Sequence, residues 1–254
     1  EELATKFSER QGKPIAPVEV KDAPVHEVVK VDADVDLTKV PLLTHYDVNA
    51  APYITAGIVV ATDPDSRVRN TSYNRLMMAR KRELRIFMAV GRHLWTLHNK
   101  LERRKEPLPI AIVIGVHPLF SLGAQAFTPS TEDEYAVIGG MMEEALRVVK
   151  AKTVPILVPA DAEMVIEGKI LPDVRREEGR LERARHQHPG IDDDRVMVRA
   201  GTLVVGEPHH AEHDDDAHRR RHRGADAGVD EVHVLEHRAQ LGADHFDAVL
   251  RGVA

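Results

Sequence analysis

The composition of the chain changes near residue 179, and this change limits the expected fold more than any other feature. Apolar segments separated by turn residues continue to about Gly179. All eleven lysines lie at or before Lys169, whereas ten of the fifteen histidines lie at or after His186. Because the later part has few large apolar side chains to bury, we expect the folded core within residues 1–179.

Three interpretations of residues 180–254 are open. The segment contains His209-His210, Asp214-Asp215-Asp216 and Arg219-Arg220-Arg221-His222-Arg223. We favour translation of GC-rich DNA in a wrong frame, because Arg, Ala, Gly, Asp, His and Val abound there while Lys vanishes. The alternatives are a solvated extension and a metal-sequestering His/Asp tract.

Composition excludes several functional classes. A net charge of −6 and a pI near 6.2 argue against a general nucleic-acid or membrane-surface binder. The chain has no cysteine, which excludes disulfides and thiolate metal sites and favours a cytoplasmic location. The longest apolar run, residues 110–116, is too short to span a membrane. Because residue 1 is Glu rather than Met, we interpret the chain as a fragment or a processed product.

Apolar patterning predicts a mixed α/β fold with more strand than helix. Leu94, Leu97 and Leu101 follow helical spacing, and we expect His98 on the surface of that helix. The predicted helices cover residues 92–105 and 132–146, with a short helix opened by Pro118. The predicted strands cover residues 53–62, 67–77, 84–90, 110–116, 148–159 and 162–171.

Asn70, His93 and Glu134 form a candidate metal-binding set within otherwise apolar surroundings. An amide oxygen, an imidazole nitrogen and a carboxylate together suit a hard or borderline ion such as Mn²⁺ or Mg²⁺. Taken alone, the residues have structural alternatives: Asn70 as a bulge cap, His93 as a helix-start hydrogen bond, and Glu134 as a partner of the helix dipole. Strand alternation places Asn70 and Arg75 on opposite faces, so a bulge or strand end is needed if both serve one pocket.

Several motifs, in order and with sensible gaps, resemble the UbiD family of decarboxylases. The resemblance runs from about residue 10 to Gly179, and it is greatest to members that act on aromatic or heteroaromatic acids. The motifs are Thr44-His45-Tyr46-Asp47, Pro52-Tyr53-Ile54-Thr55-Ala56-Gly57, Asn70-x-Ser72-x-x-Arg75, Gly91-Arg92-His93-Leu94, Asp133-Glu134-Tyr135, Val158-Pro159-Ala160-Asp161-Ala162-Glu163 and Glu167-Gly168.

The resemblance implies a fold and a domain plan. It implies a split β-barrel that binds prenylated FMN, with Mn²⁺ (or Mg²⁺) and often K⁺ holding the cofactor phosphate. Residues 1–40 would be the remnant of an N-terminal domain and linker, residues 41–179 the split barrel, and residues 180–254 an atypical tail. The C-terminal α/β domain of the family has no counterpart in this sequence.

The resemblance also implies site residues and an activity. The metal ligands would be Asn70, His93 and Glu134, and the cofactor-binding residues Thr55, Asn70, Ser72, Arg92 and His93. Arg75 would hold the substrate carboxylate, paired with Glu178. The implied activity is reversible, non-oxidative decarboxylation of an aromatic, heteroaromatic or α,β-unsaturated acid. A flavin prenyltransferase would supply the cofactor, and the full-length protein would be a cytoplasmic homo-oligomer.

The sequence departs from the family after Glu178. It continues Gly179-Arg180-Leu181-Glu182-Arg183, so Arg183 stands where the resemblance calls for a proton-donating glutamate. Glu182 is one residue early, which at strand spacing points it to the opposite face. We therefore expect phosphate binding to survive better than catalysis. The alternative functions are an inactive flavin- and metal-binding module and a non-functional fragment of such an enzyme.

Overall fold

β-Branched and aliphatic residues form most of the strands of the protein, whose computed structural model describes residues 2–47, 49–176 and 195–206. Those residues belong to the first of two units, residues 1–207 and 208–254. The helices are α1 (Glu2–Gln11), α2 (His93–Glu102), α3 (Pro118–Gly123) and α4 (Glu134–Met142), with 3₁₀ turns at Pro24–His26, Asp32–Asp34 and Leu37–Lys39. The strands are β1 (Val18–Glu19), β2 (Val28–Val31), β3 (Tyr53–Ile54), β4 (Ile58–Thr62), β5 (Arg69–Tyr73), β6 (Leu76–Arg80), β7 (Glu83–Ile86), β8 (Leu108–Ile114), β9 (Arg147–Lys150), β10 (Leu157–Pro159), β11 (Met164–Arg176) and β12 (Arg195–Val205).

A curled, antiparallel half-barrel sheet carries the fold, so the predicted mixed α/β split barrel is confirmed. Within the described part of the chain the sheet has nine strands. Eight follow the order β3-β6-β7-β12-β11-β8-β4-β5, and β2 pairs with the end of β12. A small second sheet has the order β1-β9-β10.

Strand β12 was not predicted from the sequence. It lies in the segment interpreted as an atypical tail, yet it pairs with both β11 and β7. Val198, Ala200, Thr202 and Val204 alternate along it and are all buried. This short apolar alternation was obscured by the surrounding histidines and arginines. With β2 from residues 1–40, strands from all three predicted segments share one sheet.

Helix α2 packs its leucines against β8 and β11, as the helical spacing predicted. The prediction for His98 was wrong, because its side chain is only 1% exposed. His98 lies four residues after Leu94 and three before Leu101, which places it on the same buried face. No helix in the described ranges is long and apolar enough to cross a bilayer.

The predicted strand at residues 67–77 is two strands, β5 and β6, separated by Asn74 and Arg75. Asn74 Nδ2 donates to the carbonyl of Ser72 at 3.2 Å and to its hydroxyl at 2.9 Å. Such local side-chain bonds compete with the ladder and end the strand. The break occurs where a bulge or strand end was required for Asn70 and Arg75 to serve one pocket.

Helices α3 and α4 pack against each other through an aromatic pair, and both contribute to an apolar cluster with strands β4 and β8. The rings of Phe120 and Tyr135 meet edge-to-face at 5.9 Å, and both side chains are buried. The N-terminal segment crosses α4 at Gly139 and Gly140. A Cβ atom at either glycine would lie 2.4 Å from a carbonyl oxygen of that segment. The close crossing therefore requires glycine at both positions.

Candidate functional site

The start of helix α4 is held against the free edge of strand β5, the last strand of the sheet. The guanidinium of Arg69 forms a forked ion pair with Asp133 and lies over the ring of Tyr135 at 5.2 Å. Asp133 also accepts the backbone N–H of Tyr135 at 3.1 Å, which caps the helix. These contacts fix the helix start relative to the strand.

Glu134, the next residue, is a buried carboxylate with four hydrogen-bond donors. Its Oε1 accepts from Asn70 Nδ2 at 2.9 Å and from Thr128 Oγ1 at 3.1 Å. Its Oε2 accepts from the backbone N–H and the hydroxyl of Thr71, the latter at 2.7 Å. Because the carboxylate sits at the strand edge, side chains from both faces of β5 reach it. The four bonds offset the cost of burying the charge.

The contact with Glu134 also fixes the orientation of the Asn70 amide. A carboxylate cannot donate, so the amide nitrogen must face Glu134 and the amide oxygen must face away. Asn70 Oδ1 is buried and has no hydrogen-bond partner among the described residues. A buried, unpaired acceptor of this kind fits a cationic or hydrogen-bond-donating ligand.

The imidazole Nδ1 of His93 also lies next to the Glu134 carboxylate. His93 is the first residue of α2, which follows a turn at Gly91 (φ +80°), and its Nδ1 lies 3.5 Å from Glu134 Oε1. The structure thus brings Asn70, His93 and Glu134 together from a strand and two helices. Their role as ligands stays a prediction.

The donor set is suited to one hard or borderline divalent ion. It combines an amide oxygen, a carboxylate and an imidazole, which are the atoms that Mn²⁺ and Mg²⁺ accept in proteins. Among the residues described, no group of three or more His, Asp or Glu side chains could hold a metal ion by itself. A metal at this place therefore depends on the Asn70 oxygen.

A cleft of about 840 Å³ opens beside the three residues, between β5, α2 and the loop before α4. Lys100 and Arg104 on its rim are paired with Asp63 and Asp65. Burial alone would raise the pKa of Asp63, but hydrogen bonds from Lys100 and two backbone N–H groups keep it below its usual value. The lining residues are Asp63, Val68, Arg69, Asn70, Gly91, His93, Trp95, Thr96, Leu97, Asn99, Lys100, Arg103, Arg104, Ser130, Glu132 and Glu134.

Arg75 lies at a different place, where β3, β6 and β7 begin or end. The pairing of Ile54 with Leu76 puts Thr55 next to Arg75, and the pairing of Leu76 with Ile86 puts Phe87 on its other side. The exposed guanidinium of Arg75 lies over the Phe87 ring at 5.2 Å. Thr55 is exposed, with its hydroxyl 3.4 Å from His45 Nε2. Neither Thr55 nor Arg75 lines the cleft.

The other predicted cofactor residues lie close to the three candidate ligands in sequence but outside the cleft lining. Ser72 is half-buried, two residues after Asn70 on β5. Arg92 precedes His93, is exposed, and places its guanidinium over the ring of Phe127 at 5.8 Å. Glu178, predicted as the partner of Arg75, lies outside the described residues, as do Glu182 and Arg183.

Two threonines of the site were missed by sequence reasoning. Strand alternation puts Thr71 on the face opposite Asn70, and Thr128 belongs to none of the motifs. Both donate to Glu134. No motif marks them, because their function depends on the helix docking at the strand edge. In the Arg69–Asp133 pair, by contrast, Asp133 opens one of the motifs and Arg69 directly precedes another.

Comparison with known proteins finds similarity to decarboxylases and to UbiD-class enzymes. The chain is 42% identical over 144 residues to anhydromevalonate phosphate decarboxylase of Methanothermobacter thermautotrophicus. That alignment covers 57% of this chain and 34% of the relative. The chain is 32% identical over 204 residues to gallate decarboxylase of Lactiplantibacillus plantarum, covering 76% and 42%. A solved structure of an evolved dimeric form of the UbiD-class enzyme HmfF from Pelotomaculum thermopropionicum, in complex with prFMN, matches with a TM-score of 0.73 and 39% identity, covering 80% and 48%.

The chain spans less than half the length of these relatives. The match to a family model is nonetheless extensive. Residues 16–200 fit the model described as the UbiD 3-octaprenyl-4-hydroxybenzoate carboxy-lyase Rift-related domain. The chain therefore belongs to the UbiD family.

Proposed function

We propose that this protein is the cofactor-binding part of a prenylated-FMN-dependent carboxy-lyase. The reaction is the reversible, non-oxidative decarboxylation of an aromatic, heteroaromatic or α,β-unsaturated carboxylic acid. The observation that carries the proposal is that Asn70, His93 and Glu134 lie together beside the cleft, where the buried Asn70 Oδ1 has no partner among the described residues. Family membership and the prFMN bound to the HmfF neighbour support it.

In this proposal Asn70, His93 and Glu134 hold Mn²⁺ or Mg²⁺, and the ion binds the cofactor phosphate. A divalent ion is needed because a phosphate beside Glu134 would otherwise meet a carboxylate of the same charge. We assign Thr55, Ser72 and Arg92 to the rest of the cofactor, with K⁺ as a second cation. Prenylated FMN, when bound, supplies the electron sink that a carbanion requires and that no side chain provides.

Arg75 is the proposed binding residue for the substrate carboxylate. A guanidinium binds a carboxylate through two parallel hydrogen bonds and orients it, which the point charge of lysine does less well. The Phe87 ring beneath the guanidinium limits its rotation. We assign Glu178 as the acidic partner of Arg75. Exclusion of water around Arg75 would favour the departure of the charged group as neutral CO₂.

The substrate is proposed only as a class. The two relatives are named for different substrates, anhydromevalonate phosphate and gallate, so their names do not select one acid. We further propose a flavin prenyltransferase as cofactor supplier, a homo-oligomer for the full-length protein and a cytoplasmic location. The dimeric HmfF neighbour supports the oligomer, and the lack of cysteine agrees with the location. The comparisons do not favour an inactive binding module.

The test is to purify the protein from cells that also make a flavin prenyltransferase. The ultraviolet–visible spectrum, the manganese content and CO₂ release from a panel of aryl and acrylic acids are then measured. We expect bound prenylated FMN, about one metal ion per chain, and CO₂ release from at least one acid. Arg75→Lys should keep the cofactor spectrum and lose most CO₂ release, whereas Arg147→Lys, at an exposed ion pair, should retain both. Cofactor loading without CO₂ release from any acid would count against the proposal.

A further inference from the structure

The two oxygens of the Glu134 carboxylate have different surroundings. Within the described ranges, Oε2 accepts hydrogen bonds only from the backbone N–H and the hydroxyl of Thr71. Oε1 accepts from two side-chain groups, Asn70 Nδ2 and Thr128 Oγ1, and His93 Nδ1 lies 3.5 Å from it. One oxygen is therefore anchored to the strand edge, and the other faces the candidate ligands.

The number of donors limits how an ion can enter. A carboxylate has about four lone-pair positions, and the four donors to Glu134 fill them. A divalent ion can bind only where one donor withdraws. The Asn70 bond stays, because with Nδ2 as its donor the buried Asn70 Oδ1 remains available to the ion. The longer bond, from Thr128 Oγ1 at 3.1 Å, is the one that can rotate away at least cost.

We propose that Thr71 is a positioning residue that anchors Oε2 of Glu134, so that Oε1 exchanges the Thr128 hydroxyl for the divalent ion. This inference rests on the proposed metal site. Thr71 is 3% exposed and does not line the cleft, so it acts through Glu134 and not on the ion. Partners of this kind orient a ligand and set its affinity for the metal.

Loss of the hydroxyl should therefore weaken Mn²⁺ binding at Thr71 but not at Thr128. The experiment measures Mn²⁺ affinity of the full chain by electron paramagnetic resonance, with Mn²⁺ alone and with Mn²⁺ plus FMN. Thr71→Val should weaken binding about tenfold, at the low end for such partners because the backbone N–H remains. Thr71→Ser, which keeps the hydroxyl, should bind as the wild type does. Thr128→Val should bind equally or more tightly, because it removes the donor that competes with the ion.

Valine is close in shape to threonine and favours strands, so Thr71→Val should melt within a few degrees of the wild type. Thr71→Ala repeats the loss of the hydroxyl if the valine variant does not fold. The inference would be overturned if the folded variant without the Thr71 hydroxyl bound Mn²⁺ as tightly as the wild type. It would also be overturned if Thr128→Val lost as much Mn²⁺ affinity as that variant. A wild-type chain that binds no Mn²⁺ with or without FMN would instead refute the metal site itself.

Discussion

The side-chain amide of Asn70 donates to Oε1 of Glu134 at 2.9 Å, although 64 residues separate them in the chain. The bond joins the edge strand β5 to the first turn of α4 and leaves the buried amide oxygen without a partner among the described residues. An unpaired buried acceptor fits the ion proposed for this site.

Replacement of Asn70 should remove metal binding while a neighbouring asparagine tolerates the same change. Asn70→Ala deletes the free oxygen and one donor to a buried carboxylate, so we expect no measurable Mn²⁺ binding and a loss of about 1–3 kcal/mol in the free energy of unfolding. Asn74→Ala removes only local bonds to Ser72 and should keep Mn²⁺ binding. Titration with Mn²⁺ and urea unfolding measure the two effects. Equal Mn²⁺ affinity in both variants would contradict the assignment.

The Arg69–Asp133 pair should contribute more to stability than an exposed pair of the same type. Its side chains are 17% and 25% exposed, and two nitrogens of the Arg69 guanidinium donate to the Asp133 carboxylate. Asp133 also caps α4. We expect a double-mutant cycle on Arg69→Ala and Asp133→Ala to give a coupling of about 1–3 kcal/mol. The control pair Arg147–Asp161 is 51% and 46% exposed and should give about 0.2–1 kcal/mol. Similar coupling energies for both pairs, measured by urea unfolding, would show that the Arg69–Asp133 pair contributes no more to stability than an exposed pair.

How far the sequence could predict the structure depended on whether the deciding contact was local. The spacing of its leucines correctly predicted the buried face of α2. Asn70, His93 and Glu134 could be selected as candidates because they are polar residues in otherwise apolar stretches. Thr71 was missed because alternation assigns faces of a strand but not what lies at its edge. His98 was misplaced because its polarity was given more weight than its helical position. Strand β12 was missed because its apolar alternation lies between highly charged segments, and because its partner strands β7 and β11 lie earlier in the chain.

Burial of His98 should make stability depend on pH near neutrality. Burial lowers the pKa of His98 below its ordinary value of 6.5, with Arg175 adding to this and Glu102 opposing it. The unfolded chain then binds a proton more readily, so the contribution is complete above pH 6.5 and is lost as the pH falls below it. His98 Nε2 lies 3.5 Å from Glu102 Oε1, but neither ring nitrogen forms a well-aligned hydrogen bond with the described residues.

His98→Leu should therefore melt at an equal or higher temperature at pH 7 and lose less stability between pH 6.5 and 5 than the wild type. Leucine fills the site without a buried polar group, so the expected change at pH 7 is within about 1.5 kcal/mol. Melting temperatures measured by circular dichroism across this pH range decide the matter. Parallel curves for the two proteins would show that His98 does not titrate as its burial predicts.

Glu102 should govern a second, more acidic transition. It ties α2 to an irregular part of β11, accepting from both Nη atoms of Arg175 at 2.9 Å and from the backbone N–H of Asp173 at 2.8 Å. The Arg175 hydrogen bonds lower the pKa of Glu102 from 4.5 to about 2, against the effect of burial. Its folded-state pKa lies below the unfolded value, so its contribution is complete above pH 4.5 and is lost as the pH falls toward 2.

Replacing Glu102 with glutamine keeps the size of the side chain but removes the charge, so Glu102→Gln should cost about 1.5–3 kcal/mol of unfolding free energy at pH 7. The difference from the wild type should shrink steadily below pH 4.5, because protonation then makes the wild type resemble the variant. Glu9→Gln, at an exposed position on α1, is the matched control and should follow the wild type at every pH. Urea unfolding at several pH values provides the measurement. A difference between wild type and Glu102→Gln that stays constant down to pH 3 would mean that the Arg175 bond does not depend on the charge of Glu102.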